Sequence, residues 1–215
     1  MTGLRDCWGT SRIRFWPGAA VAEAVLKGSA EWKKRPAGDC SVVAIAVETD
    51  TRGMRNPILV ALDVATTEQA LALVQELAPV VGGFKVGSEL FTAAGPDIVR
   101  AIRATGAVVF LDLKFHDIPH TVARAVAAAV RLDVQMLTVH TSGGFAMLQA
   151  AEQAAQQTAS ETGRTVPLVL GVTVLTSLDS NALAEVGCDD HVGRQVERLA
   201  NLAVRAGLRG LVCSP

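Results

Sequence analysis

The sequence predicts an α/β fold of repeated βα units, an incomplete TIM-type (β/α)8 barrel with about six of its eight units present. Three observations predict it. From Pro57 onward, short β-branched apolar runs alternate with Ala- and Leu-rich segments whose charges recur at helical spacing. The apolar runs are apolar throughout, as parallel strands covered on both faces must be. Ionisable or hydroxyl residues fall where these runs end, and a barrel gathers such positions at one mouth. An open doubly wound sheet would use only the ends beside its switch point, and neither GxGxxG nor GxxxxGK[ST] is present to mark one.

The expected strands are 58–63, 83–86, 108–113, 136–140, 168–174 and 210–213. Helices are expected between them over 67–80, 89–105, 118–132, 144–161 and 179–206, the last broken near Gly187. Gly106, Gly163 and Gly207 stand where helices should stop. Residues 1–56 differ in character. All three Trp (Trp8, Trp16, Trp32) lie there, and neither a 3.6 nor a 2 period is sustained. A short helix over 19–26 and a short strand over 41–47 are the only segments with local support, and no pair of strands is expected. The chain therefore divides into an irregular N-terminal extension, 1–56, and a barrel domain, 57–215. Met54 opens the regular part as a natural start would, so residues 1–53 are expected to be an appendage or an upstream misreading; peptides from Thr2 to Arg52 in the natively expressed protein would contradict the misreading.

At 215 residues, 50% hydrophobic and 19% charged, the chain can bury one sizeable core. A formal net charge of -1 gives no electrostatic reason to expect nucleic acid or an anionic membrane as partner, which leaves small-molecule chemistry. No run approaches the roughly 20 apolar residues of a membrane span, and no secretory h-region follows Arg5, Arg12 and Arg14. Cys7, Cys40, Cys188 and Cys213 are spread without a CxxC pair or a His at zinc spacing, so no disulfide framework or metal knuckle is expected and a reducing cytoplasm fits.

The most informative stretch is 108–121, which places Asp112, Lys114 and Asp117 at the end of an apolar strand. Period 2 points Asp112 and Lys114 to the same side. A lone Asp-x-Lys pair is as often a structural ion pair as a functional one. Here Asp63 ends the first strand and Lys85 the second, so five ionisable groups of alternating sign are expected on one rim, each charge offset by its neighbours. His140 ends the fourth strand as a site-lining residue or a hydrogen-bonded structural one. His116 and His120 bracket Asp117 on a loop, where metal ligation is not expected. Cys188 and Cys213 lack a nearby base and are expected to be ordinary thiols.

The segments around Ala-Leu-Asp63-Val, Phe-Lys85-Val-Gly, Leu-Asp112-Leu-Lys114-Phe-His-Asp117-Ile118-Pro-His-Thr121 and Val-Thr173-Val-Leu-Thr176-Ser resemble, in order and spacing, the motifs of the bacterial orotidine 5'-phosphate decarboxylase family. The resemblance runs from Pro57 to Pro215; His120 stands where Asn or Thr is more usual. It implies decarboxylation of orotidine 5'-phosphate to UMP in pyrimidine biosynthesis, with Lys114 as proton donor and Asp112 facing the departing carboxylate. Lys85 and Asp63 are implied to contact ribose hydroxyls as well as to extend the charge row, which puts Lys85 in the catalytic set too, and Thr176 to lie beside the pyrimidine. Asp117, which completes the catalytic set, is implied to reach the neighbouring subunit's site with Ile118 and Thr121, making the active unit a homodimer. No metal or organic cofactor is implied. Magnesium-dependent sugar-phosphate decarboxylases and aldolases of the same lineage share Asp-x-Lys-x-x-Asp, but usually follow the last Asp with a small residue and Gly; Ile118-Pro119-His120-Thr121 favours the orotidylate branch.

The sixth strand closes at the last residues, so two further strands and their loops are expected to lie outside this chain. Phosphate sites in such barrels come from the loops after strands seven and eight. The resemblance puts an Arg after the seventh strand on the phosphate. Because binding energy from that remote group organises the reacting end, the chain alone is expected to be nearly inactive, or a non-catalytic fragment.

Overall fold

The computed structural model describes residues 13–17, 43–47, 58–188 and 190–213. It divides into two compact units, residues 1–108 and 109–215.

In the first unit the strand order is β1 (Ile13–Pro17), β2 (Val43–Val47), β3 (Ile58–Ala61), β4 (Gly83–Gly87). β1 and β2 are antiparallel, β2 is antiparallel to β3, and β3 runs parallel to β4. β2 falls within the expected strand 41–47, whereas β1 was not expected from the sequence. The helix expected over 19–26 lies outside the described residues. β3 and β4 are almost wholly buried, in keeping with their continuous apolar character. Helix α1 (Thr67–Leu77) starts where the Thr66 hydroxyl accepts from the N–H of Gln69, and buries Ala70, Val74 and Leu77, a stripe at helical spacing.

The single helix expected over 89–105 is two: α2 (Ser88–Ala94) and α3 (Asp97–Ala104). Gly95 sits at φ +66 between them, and Pro96, which has no N–H to donate, caps the second. The apolar period continues across the join, which is why the pattern alone suggested one helix. Ile98, Val99 and Ile102 form the buried face of α3.

In the second unit β5 (Val108–Phe115), of which Val108 lies in the first, β6 (Met136–His140), β7 (Leu168–Val172) and β8 (Gly210–Val212) are successive parallel neighbours. β5 outruns its expected end at 113, whereas β3 and β7 stop two residues early, leaving Asp63 and Thr173 in the loops that follow. Helix α4 (Pro119–Arg131) begins with proline in its first turn, where no hydrogen bond is lost. It packs against α5 (Phe145–Thr162), whose buried face includes Met147, Leu148, Ala151 and Ala155. The expected break at Gly187 is present: α6 (Ser180–Glu185) and α7 (Val192–Arg205) flank it, with Gly187 at φ +73. Gly106, Gly163 and Gly207 likewise take the left-handed conformation at or just beyond helix ends. Val174, in the loop after β7, forms a small buried cluster with Leu183 of α6 and Leu199 of α7.

Candidate active site

Each unit carries an ion pair at the C-terminal end of its first parallel strand. In the first, the register pairs Ala61 with Lys85, and the N–H of Leu62 donates to the carbonyl of Lys85, carrying the pairing one residue beyond β3. Asp63 is thereby brought beside the lysine side chain. Lys85 Nζ donates to Asp63 Oδ1 at 2.9 Å and to Oδ2 at 3.3 Å. The lysine side chain is 10% exposed and the aspartate 32%, so the pair faces solvent on its carboxylate side. Gly87 leaves room for it: a Cβ there would lie 3.3 Å from Asp63 Oδ1 and 3.4 Å from Lys85 Nζ.

In the second unit the end of β5 is irregular. Leu111 pairs with Leu137 and Phe115 with Val139, so β5 advances four residues while β6 advances two. Asp112, Leu113 and Lys114 occupy the extra length, and Lys114 has φ +50, a left-handed conformation uncommon for a non-glycine residue. Lys114 Nζ nevertheless reaches Asp112 Oδ2 at 2.9 Å, as the common side expected for the two residues requires. The aspartate side chain is 6% exposed and the lysine 34%. A buried carboxylate needs its remaining lone pairs satisfied. Thr138 on β6, fully buried, supplies this by donating its hydroxyl to Asp112 Oδ1 at 2.9 Å. Its oxygen also accepts the backbone N–H of Lys114 at 2.9 Å. Thr138 carries no signal of its own in the sequence, where it reads as an ordinary strand residue; only the register of β6 against β5 sets it opposite the Asp-x-Lys segment.

The other expected site residues are displayed outward. Asp117 is exposed, and its Oδ1 accepts from the N–H of Ile118 at 2.6 Å rather than joining the Asp112–Lys114 pair. Ile118 is 66% exposed, and Thr121 and Thr176 are exposed on α4 and in the turn after β7. Thr173 is buried with its hydroxyl committed to the carbonyl of Val212, a tie between the start of the loop after β7 and the end of β8. His140 is partly buried beside His116, their ring centroids 5.4 Å apart. Burial, then the neighbouring His116 and Lys114, hold His140 below the ordinary histidine range, against the opposing pull of Asp112. Burial pushes the Cys213 thiol up, which makes it a poor nucleophile. Among the described residues no group of three His, Cys, Asp or Glu converges as a metal site, and no helix is long and apolar enough to cross a membrane.

Parallel βα units with ion pairs at the C-terminal strand ends define an α/β protein of the (β/α)8-barrel class. More specifically, the chain belongs to the orotidine 5'-phosphate decarboxylase / HUMPS family, whose model matches residues 56–215. It is 54% identical over 162 residues to orotidine 5'-phosphate decarboxylase of Moorella thermoacetica, covering 75% of this chain and 64% of that protein. It is 52% identical over 159 residues to the enzyme of the same name from Dichelobacter nodosus, covering 74% of this chain and 67% of that one. Among solved structures, orotidine 5'-phosphate decarboxylase from Lactobacillus acidophilus superposes with a TM-score of 0.67 at 37% identity, covering 73% of this chain and 70% of that one. An uncharacterized conserved protein from Geobacillus kaustophilus gives 0.66 at 35%, covering 72% of each chain. The chain thus spans slightly under two thirds of the length of its Moorella relative.

Proposed function

We propose that this chain serves the decarboxylation of orotidine 5'-phosphate to UMP in pyrimidine biosynthesis, and that the Asp112–Lys114 pair performs it. The observation that carries the proposal is a lysine ammonium, one third exposed, held 2.9 Å from a buried aspartate at a strand end. The bond from pyrimidine C6 to the carboxylate breaks, carbon dioxide leaves, and the electron pair stays on C6. Lys114 Nζ stabilises that developing charge and delivers a proton to C6; solvent then returns a proton to the amine. Asp112 faces the departing carboxylate, and its fixed charge disfavours the substrate anion more than the transition state, in which that charge leaves the carboxylate.

Asp63 and Lys85 hold ribose hydroxyls, and Thr176 lies beside the pyrimidine. Asp117, Ile118 and Thr121 act in the neighbouring subunit of a homodimer; the exposure of Ile118, a large apolar side chain, supports a protein partner at that loop. The step balances with no cofactor. A cytoplasmic location accords with the unpaired Cys188 and Cys213.

The test is loss of pyrimidine absorbance as orotidine 5'-monophosphate is converted, with Lys114→Ala as control. It is run on the chain itself and on the chain joined to the remaining segment of the Moorella relative. Turnover in either form that falls about a hundredfold or more in Lys114→Ala is expected. Turnover that survives Lys114→Ala, or none in both forms, would leave the chain a non-catalytic member of its family.

A further inference from the structure

We infer that Thr138 is the positioning residue of the Asp112–Lys114 pair, fixing both the direction of the carboxylate and the backbone turn from which the lysine projects. In a regular parallel ladder the N–H of residue 114 would find a carbonyl on the neighbouring strand. The irregular register between β5 and β6 removes that partner, because four residues of one strand are set against two of the other. The Thr138 hydroxyl stands in its place. Lys114 N–H can only donate, so the hydroxyl oxygen accepts from it at 2.9 Å, which commits the hydroxyl proton to Asp112 Oδ1, also at 2.9 Å. One hydroxyl thus joins both members of the pair from a third residue.

Three features make the arrangement specific. Thr138 is 0% exposed, so no solvent is at hand to replace the hydroxyl. Its β-branched side chain is stiff at χ1, which holds the oxygen toward β5. Lys114 at φ +50 occupies a conformation that persists only where its surroundings enforce it, and the bond to its own N–H is the enforcing contact. Thr138 touches no reacting atom; it acts through Asp112 and Lys114. The inference rests on the proposed decarboxylation for its effect on turnover, but not for its geometry.

The experiment compares Thr138→Val, which keeps the shape and removes the hydroxyl, with Thr138→Ser, which keeps the hydroxyl. Hydrogen exchange at the Lys114 amide, read by NMR, reports the geometry without any reaction. It is expected to quicken at least about tenfold in Thr138→Val and to stay near the wild-type rate in Thr138→Ser. In the form that turns over, kcat is expected to fall about tenfold or more in Thr138→Val with KM within about threefold, and Thr138→Ser to recover most of the loss. Unchanged Lys114 exchange in Thr138→Val would overturn the inference, as would KM rising alone. Absence of wild-type turnover would sink the decarboxylase proposal and leave amide exchange to judge the positioning role. If Thr138→Val fails to fold, the wild type decides: a solvent-protected Thr138 hydroxyl proton with a cross-peak to the Lys114 amide is expected, and its absence overturns the inference.

Discussion

Gly87 shows how closely backbone and ion pair are fitted at the scale of single residues. A methyl group there would press on Asp63 Oδ1 at 3.3 Å, which would have to give by a few tenths of an ångström, while meeting Lys85 Nζ at 3.4 Å in ordinary contact. Because that pair is proposed to hold the ribose rather than to react, Gly87→Ala is expected to raise KM several-fold with a smaller change in kcat, measured by steady-state kinetics. A fall confined to kcat would move Asp63 and Lys85 into the chemical step. His140 gives a pH signature. Its lowered pKa means the unfolded chain takes up that proton more readily than the fold, so stability rises with pH from the depressed value up to the ordinary 6.5 and is indifferent above it. His140→Gln is therefore expected to flatten the change in urea midpoint between about pH 5.5 and pH 7.5 relative to wild type; an identical change in both proteins would show that His140 does not titrate in that window. The members of the two ion pairs were legible in the sequence because ionisable residues at apolar strand ends are conspicuous. Thr138 was not, because a threonine in a strand carries no such mark, and only the register of β6 against the irregular end of β5 gives it a role.

At the scale of elements, all six parallel strands lie within a few residues of their expected places, because continuous apolar runs bounded by polar residues have few other readings. Two failures share one cause, a pattern that periodicity does not register. The irregular end of β5 leaves the apolar sequence unbroken, and the join between α2 and α3 preserves the helical period while Gly95-Pro96 changes the backbone. The join makes a quantitative prediction. With Gly95 at φ +66 and open space where a Cβ would point, Gly95→Ala meets backbone strain and no clash. It is expected to cost about 1–2 kcal/mol by urea denaturation. A neutral substitution would mean that α2 and α3 can run on as the single helix suggested by the apolar period.

At the scale of the whole molecule, the least legible part is the segment before Pro57, whose composition promised no strand pair. β2 nonetheless lies along β3 through Ala44↔Val60, Ile45↔Leu59 and Ala46↔Ile58, and β1 lies along β2 from Ile13↔Val47 to Pro17↔Val43. The physical consequence concerns the edge of β3. A buried apolar strand such as Ile58–Ala61, left unpaired on one side, offers backbone donors and acceptors to any other strand, including that of a second copy. β1 is a safer edge in residue type, since it carries Arg14 and ends in Pro17, which lacks an N–H. β1 and β2 are therefore expected to protect the sheet, and a variant beginning at Met54 to associate beyond the proposed dimer. Sedimentation velocity across roughly a tenfold concentration range should show larger species for that variant and none for the full chain. Equal behaviour of the two would mean that β1 and β2 contribute nothing to covering β3, and that the regular part of the fold manages this edge by itself.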